Sequence, residues 1–495
     1  MDTFLKNYWS LYMDFLDDFA SLTYRGFSLV YFCHLPSYVL RNPALLKELE
    51  KEAYIKNVKK EVVYSKDIQD KFRLFTEKHR VDSIKKHGKV AITVDKLLRF
   101  PKTNIHQQFS SADTVLLTNS APTKSPEIKQ PAKRKNKARI INTTIAKTKN
   151  TKKDKPTTVR NIPLYYLGDY HINVEKQIKE VQQAARKILS QNKSHHLYQN
   201  PTFQKWLLLT LASVITYMER THQLLKKVNI SCFVVSTTHS FINRILAVVG
   251  SKQGIPTICM QHGIISSELG YIPKIATVDA VYGQFEKDWY QKLGAKPGSI
   301  EIVGHPRFDQ MYNRSKVDQP NFIKRVGLNK DRKTIMIAVR GEEDLNKWRQ
   351  FIQVLNNKQK CNIIIKNYPS SQPHPLTKEF TNVYTIKGFT LYDIFPHVDA
   401  VITYSSTVGL EAMLSECVVF ILDKSFKGKT GYYRKLTPLL QYDPKVLAEQ
   451  LSSYLTKPSY RNYAEQKRLQ FLRHAYPSKK RSFDRLKQLI KRLTN

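Results

Sequence analysis

The stretch that most constrains this chain is 399–422, which reads DAVITYSSTVGLEAMLSECVVFIL. Its first apolar run, 400–402, is typical of a strand buried on both faces of a parallel sheet. Small and polar residues follow it, and from Val408 onward the apolar residues recur at helical spacing. The run 418–422 is again typical of a buried strand. The stretch therefore predicts strand, tight turn, helix and strand, the repeating unit of an α/β sheet.

The turn in this unit is a candidate anion site. Ser406 or Thr407 is predicted to cap the helix, whose backbone N–H groups and dipole then face the crevice above the sheet. A phosphate group fits such a position. Glu411, in or just after the first helical turn, is placed to accept hydrogen bonds from a ribose or sugar hydroxyl. Small turn residues and capped helices also occur in α/β proteins for structural reasons alone.

The remaining chain predicts an α/β protein with a helical N-terminal region and two doubly wound Rossmann-type domains that face a cleft. Buried-type strands alternate with helical patterns on both sides of a polar stretch near residue 320. The expected divisions are a helical region over 1–88, a first domain over 89–310, a second domain over 320–458, and basic helices over 459–495. Such a cleft suits a nucleotide donor on one domain and an acceptor on the other.

Two histidines follow neighbouring strands of the predicted first domain. His239 lies in the loop after the strand at 232–236, and His262 follows the strand at 256–260. Ligands of open parallel sheets bind at the carboxyl ends of the strands, so both histidines are expected to face one crevice. A single loop histidine is more often only solvated, and two at adjacent strand ends favour a functional role.

The charge of the chain points to acidic partners. Lys and Arg number 81 against 41 Asp and Glu, which gives a formal net charge of +40. The basic segment 119–161 is predicted to be a disordered insertion. It is either a solvated spacer or a tether to an anionic membrane surface, a polyanionic polymer or nucleic acid. No helix-turn-helix, zinc or RNA-recognition motif accompanies it, so nucleic acid is not the expected partner.

The cysteines and the N-terminus predict a cytoplasmic protein. Five scattered cysteines without CxxC spacing are typical of free thiols in a reducing compartment. The first residues are acidic and lack a secretory signal pattern, and the longest apolar run, 206–218, is too short to span a bilayer. No acidic metal cluster is present in the sequence pattern, so neither a metal nor a cofactor is expected.

Three short motifs together resemble a known family. QHG at 261–263, GHPRFD at 304–309 and YSSTVGLEA at 404–412 are similar to motifs of the GT-B enzymes of bacterial surface polysaccharide assembly. The capsule Kdo transferases and the CDP-glycerol glycerophosphotransferases of teichoic acid synthesis are the groups that the motifs resemble most. The likeness covers about 230–425. It implies a GT-B fold and a metal-independent transferase that acts at the inner face of the cell membrane.

The resemblance also implies site residues. It implies a catalytic or phosphate-contacting histidine at His262, and donor binding by the turn Ser405, Ser406 and Thr407 together with Glu411. The chain departs from the pattern at Tyr368, where many relatives have a histidine that contacts the donor phosphate. His374, in the same loop, is a candidate replacement.

The expected chemistry has three requirements: neutralisation of the departing phosphate, deprotonation of the acceptor hydroxyl, and exclusion of water. The first is assigned to backbone N–H groups at 406–408 with Arg340 or Lys366, although both cations fit ordinary surface charge as well. His262 is the expected base. Arg307 fits a phosphate contact or a structural salt bridge, and the side chains that complete the cleft are Gln261 and Gly263.

The function predicted from the sequence is transfer of a glycosyl or glycerophosphoryl group. The group moves from a nucleotide-activated donor to a polymer or lipid-linked acceptor of a surface polysaccharide or teichoic-acid-like polymer. One alternative is a nonhydrolysing sugar-nucleotide epimerase on the same fold, which turns over the donor without an acceptor. Another is a non-catalytic protein that binds polyanions or nucleic acid.

Overall fold

A computed structural model of the chain describes residues 1–101, 105, 108–119, 157–159, 161–313, 317–368, 372–476 and 480–495. The predicted basic insertion 119–161 lies almost entirely outside the described residues, so its role as spacer or tether stays a prediction.

The N-terminal region is mostly helical and belongs to the core. Its aromatic first helix is buried on nearly every side: Trp9 and Phe15 are fully buried, and the Phe15 ring packs against Phe203 and Trp206. The elements of this region are α1 Thr3–Asp18, β1 Thr23–Tyr24, β2 Phe27–Ser28, α2 Leu35–Val39, α3 Pro43–Glu48 and α4 Ser65–Lys78.

The first sheet has eight described strands, seven of them parallel. Their bounds are β3 Lys89–Thr93, β4 Thr114–Thr118, β5 Thr157–Val159, β6 Ile162–Tyr166, β7 Ile230–Val235, β8 Thr257–Met260, β9 Val278–Val281 and β10 Ile300–Ile302. Their order is β10-β9-β8-β7-β3-β4-β6-β5, and β5 alone pairs in antiparallel fashion. The chain therefore reverses its direction of winding between β3 and β7. Ligand crevices in open parallel sheets lie at such a reversal.

Helices cover both faces of this sheet, as its wholly buried central strands require. The helices are α5 Glu175–Gln191, α6 Pro201–Lys227, α7 Phe241–Ser251 and α8 Gln284–Lys292.

The second sheet has six described strands, all parallel, in the order β13-β12-β11-β14-β15-β16. Their bounds are β11 Thr334–Val339, β12 Asn362–Asn367, β13 Val383–Thr385, β14 Ala400–Thr403, β15 Val418–Leu422 and β16 Leu440–Gln441. The reversal here lies between β11 and β14. The surrounding helices are α9 Gln319–Val326, α10 Leu345–Lys358, α11 Leu376–Glu379, α12 Leu391–Ile394, α13 Thr407–Leu414 and α14 Pro444–Thr456.

The last two helices, α15 Pro458–Ala475 and α16 Ser482–Thr494, bring the end of the chain back to the first sheet. Leu486 and Leu489 of α16 pack in the same hydrophobic cluster as Val90 and Ile258. Asp309, the last residue of the GHPRFD motif, holds the start of α16: its carboxylate accepts hydrogen bonds from the backbone N–H groups at 482 and 483 at 2.8 and 3.0 Å. This motif therefore fixes the returning helix to the junction between the domains.

The two α/β domains with a helical N-terminal region are the fold class that the sequence predicts. Within the described ranges, every helix is too short or too polar to cross a lipid bilayer.

Candidate functional site

The reversal point of the first sheet carries an acidic side chain. Asp95 follows β3, and its Oδ2 accepts a hydrogen bond from the hydroxyl of Ser236, which follows β7, at 2.5 Å. Its Oδ1 accepts from the backbone N–H groups of Leu97 and Leu98 at 2.8 and 3.0 Å. Sequence reasoning missed Asp95, because its place at the reversal emerges only from the strand order.

His262 lies at the carboxyl end of β8, half-buried, with its ring stacked on Tyr271 at a centroid distance of 5.1 Å. Burial, followed by the charges of Arg99 and Arg307, lowers the pKa of its imidazole to about 4. The ring is therefore neutral near pH 7 and able to accept a proton.

Gln261 has a structural role in the loop that carries His262. Its Nε2 donates to the Gly263 carbonyl at 2.7 Å and to Glu286 at 3.0 Å, and its Oε1 accepts from the backbone N–H of Tyr282 at 3.0 Å. Burial raises the pKa of Glu286 to about 7. Gln261 thus has its amide fully occupied by its own domain, and it orients the loop.

His239 and His262 line one small cavity of about 20 Å³, as their positions after neighbouring strands predict. Neither ring nitrogen of His239 makes a hydrogen bond of normal geometry within the described residues. Burial and then the charge of Arg244 lower the pKa of His239 to about 3. The cavity has room for a water molecule but not for a sugar. His239 therefore lies beside the loop that carries His262 (the His262 loop) and not at a sugar-sized site.

The helix of the second domain begins where the sequence predicts, but its capping prediction is wrong. Ser406 occupies the N-cap position, yet its side chain makes no capping bond; its hydroxyl lies 3.2 Å from that of Thr403. Thr407 Oγ1 instead accepts a hydrogen bond from the backbone N–H of Ile264, at 3.2 Å. The first turn of α13 is thus without a side-chain cap, and it contacts the His262 loop directly.

Ser405 is also engaged within the protein. Its hydroxyl donates to Asp423 Oδ1 at 3.0 Å, and the other oxygen of this buried carboxylate pairs with Lys429. Sequence reasoning missed Asp423 and Lys429, since no pattern linked the residues after β15 to the turn after β14.

Glu411 and Arg307 form a buried ion pair between the domains. The Arg307 Nη2 lies 3.2 Å from Glu411 Oε1, and the two side chains are only 6% and 11% exposed. The Tyr392 hydroxyl donates to Glu411 Oε2 at 3.1 Å. Of the two roles considered for Arg307, the structure contains the salt bridge. Glu411 therefore has intramolecular partners on both oxygens.

The two cations predicted for phosphate differ in their surroundings. Arg340, directly after β11 at the reversal point of the second sheet, is exposed. Lys366 is half-buried; its Nζ donates to the Phe389 carbonyl at 2.8 Å, and burial lowers its pKa. Arg340 is therefore the predicted cation that remains open to an incoming ligand.

The loop after β12 contains the departure from the family pattern. The Tyr368 side chain is 65% exposed, whereas His374 is 1% exposed. The Nδ1 of His374 accepts from the Leu376 backbone N–H at 3.4 Å, and burial lowers its pKa. As a buried side chain, His374 does not present its ring to the crevice in place of the missing histidine.

Together these contacts bring the loop that carries His262 against the start of α13 of the other domain. An added Cβ at Gly263 would lie only 3.3 Å from Thr407 Oγ1, so the loop and the helix are in close contact at this point. Groups of three or more His, Cys, Asp or Glu side chains suited to a metal ion do not occur within the described part of the chain.

Comparisons with known proteins identify distant structural neighbours. No family model matches the chain, and no curated protein matches it. A variant of the wall teichoic acid polymerase TagF shares 13% identity over 93% of this chain and 95% of its own, with a TM-score of 0.44. A putative UDP-N-acetylglucosamine 2-epimerase from Listeria monocytogenes shares 12% identity over 83% and 96%, with a TM-score of 0.46. The Anabaena protein HepE, in complex with UDP and glucose, shares 10% identity over 82% and 100%, with a TM-score of 0.45.

Proposed function

We propose that this chain is a transferase that moves a glycosyl or glycerophosphoryl group from a nucleotide-activated donor to a surface polysaccharide or teichoic-acid-like polymer. The observation that carries the proposal is the contact between the His262 loop and the start of α13, through the Ile264 N–H and Thr407 Oγ1. This contact supports the proposal, because the loop with the candidate base then lies against the candidate phosphate site, at the facing strand ends of two domains. The family resemblance of the three motifs supports the same reaction.

In the proposed reaction, the acceptor hydroxyl loses its proton to the imidazole of His262. The hydroxyl oxygen forms a bond to the anomeric carbon or the phosphorus of the donor, and the bond to the nucleotide breaks. The nucleotide leaves with the bonding electrons. Its added negative charge is met by the backbone N–H groups at the start of α13 and by Arg340.

The proposal assigns the base to His262, whose imidazole is unprotonated at pH 7. A histidine that is neutral at pH 7 needs no prior deprotonation, and a positioned base contributes about 10²–10⁴ to the rate. Arg99, one of the cations that lower its pKa, is exposed and makes the crevice attractive to an anionic donor. We extend the proposal to the site of action: the inner face of the cell membrane, where the segment 119–161 meets anionic lipid.

The first experiment is a thermal-shift screen against CMP, CDP, UDP and GDP. A nucleotide at about a hundred times its dissociation constant stabilises the folded protein by about 2.7 kcal/mol. We expect Arg340→Ala to reduce this stabilisation. The matched control is Arg332→Ala, because Arg332 precedes the same strand at its opposite end. Equal stabilisation of both variants would contradict the assignment of Arg340 to the donor site.

A turnover assay then separates the alternatives. We expect release of the nucleotide from its activated donor to depend on an added acceptor. Turnover of a nucleotide sugar without acceptor would indicate an epimerase. Stabilisation by none of the four nucleotides, together with salt-sensitive binding of DNA of unrelated sequences, would support a non-catalytic polyanion-binding protein.

A further inference from the structure

Two adjoining cavities lie beside the 423–439 loop, which connects β15 to β16. The inner cavity has a volume of about 240 Å³, and the outer cavity about 340 Å³. Gly431, Tyr432 and Arg434 line both. The two cavities thus lie next to each other at these three residues.

The inner cavity begins at the proposed transfer site. Its lining includes Ser405, which directly precedes the start of the turn into α13, and Ser266, from the loop that carries His262. Its polar groups form a chain: the Lys429 ammonium pairs with Asp423 and donates to the Tyr442 hydroxyl at 2.8 Å. A bound hydroxylated group would meet these hydrogen-bonding side chains.

Aromatic rings form the walls of the inner cavity. The Lys429 ammonium lies 5.8 Å from the Phe426 ring centroid and 4.7 Å from that of Tyr442, whose side chain is 53% exposed. Aromatic faces beside the Lys429 ammonium and the Tyr442 hydroxyl suit a sugar or polyol, which has both C–H faces and hydroxyls.

The outer cavity adds positive charge. Three rings pack edge to face along it: Phe285 with Tyr432 at 4.8 Å, and Tyr432 with Phe471 at 5.7 Å. Arg434 and Lys435 are exposed on its rim, and neither side chain forms an ion pair within the described ranges. The nearby carboxylate is Asp288, which lies 3.9 Å from His474. Two uncompensated cations therefore remain on the path out of the inner cavity.

We propose that the two cavities form one acceptor groove for a chain of hydroxylated units that carries anionic groups at regular spacing. The groove begins at Ser405, beside the proposed phosphate site, and leaves the protein past Arg434 and Lys435. The anionic groups are phosphodiesters or carboxylates, which the cations recognise equally. The proposal rests on the proposed function and assigns its acceptor side mainly to residues of the second domain, whereas the sequence analysis expected donor and acceptor on different domains.

The test measures binding of defined oligomers to purified full-length variants. The probes are an oligomer of glycerol phosphate, an oligomer of sialic acid and, as the neutral comparison, maltohexaose. We expect the double variant Arg434→Ala/Lys435→Ala to bind the anionic oligomer at least tenfold more weakly at 0.15 M salt. If only the glycerol phosphate oligomer binds, the anionic groups of the acceptor are phosphodiesters. If only the sialic acid oligomer binds, they are carboxylates.

The matched control is Arg186→Ala/Lys187→Ala, because this pair is also an adjacent, exposed Arg–Lys pair but lies on α5, outside both cavities. The control is expected to bind the oligomers as the unmodified protein does. The acceptor groove would be contradicted if both double variants lost the same oligomer affinity, or if the unmodified protein bound neither anionic oligomer. Nucleotide stabilisation, measured in parallel, tests the donor site separately: oligomer binding that depends on Arg434 and Lys435 without any nucleotide effect would keep the groove and reject the transferase.

Discussion

The strand ends of the two domains use their polar residues in different ways. At the first domain, His239 and His262 are kept neutral by burial and by neighbouring cations. At the second, the polar side chains predicted for the donor, other than Arg340, bond within the protein. They are Ser405 to Asp423, Thr407 to the Ile264 N–H, Glu411 to Arg307, and Lys366 to a backbone carbonyl. Under the proposed function, the difference assigns proton transfer to side chains of the first domain and donor binding to backbone N–H groups and Arg340 of the second.

This comparison predicts the largest loss of activity at His262. We expect His262→Asn to lower kcat/KM by about 10²–10⁴, because the acceptor hydroxyl loses its base. The measurement is transfer from a nucleotide-activated donor to an acceptor oligomer. Nucleotide stabilisation of the same variant serves as the control and is expected to persist, since the proposal assigns the donor to the second domain. A loss of less than tenfold would remove His262 from the proton transfer.

The second prediction separates the structural and the binding role of Glu411. Glu411→Ala leaves the buried Arg307 guanidinium without its carboxylate, so the free energy of unfolding is expected to fall by about 3–5 kcal/mol. The paired replacement Glu411→Leu with Arg307→Met is expected to recover most of this loss, because no unpaired charge remains. Urea unfolding measures both effects. If Glu411 serves chiefly the donor, Glu411→Ala instead keeps its stability and loses only nucleotide stabilisation.

His262 and Glu411 show which features could be predicted from the sequence and which could not. The alternation of apolar runs and helical patterns is local, so it predicted the strand–turn–helix–strand unit at 399–422 and the placement of His262 and His239 after adjacent strands. A parallel sheet brings such strand ends to one edge, and the shared cavity of the two histidines follows from that geometry.

The partners of the polar residues could not be predicted in the same way. Ile264 reaches Thr407 across 143 positions of the sequence, and Asp423 reaches Ser405 from the loop after the next strand. A hydroxyl in a turn has the same local pattern whether it binds a ligand or a distant backbone N–H. The position of the turn could therefore be predicted from the sequence, but the hydrogen bonds of its side chains depend on the tertiary fold.

The third prediction concerns pH and the buried histidines. The folded pKa of His239 is about 3, below its ordinary value of 6.5, so the unfolded state binds more protons between these two pH values. The free energy of unfolding should consequently decrease as the pH falls below 6.5. We expect His239→Asn to reduce this decrease by about 1–2 kcal/mol between pH 7 and pH 5. His171→Asn, at an exposed histidine, is the control and is expected to leave the slope unchanged.

The smallest expected effect concerns the contact between the two domains at Thr407. Thr407→Val removes the acceptor of the Ile264 N–H, which should lower the free energy of unfolding by about 1 kcal/mol and speed hydrogen exchange at that amide. Thr407→Ser keeps the oxygen and is expected to restore both. Nucleotide stabilisation should be the same in all three proteins, because the donor is assigned to backbone N–H groups. If only Thr407→Val loses nucleotide stabilisation, the Thr407 hydroxyl contacts the donor phosphate. Donor binding by the second domain would then use a side chain as well as backbone N–H groups.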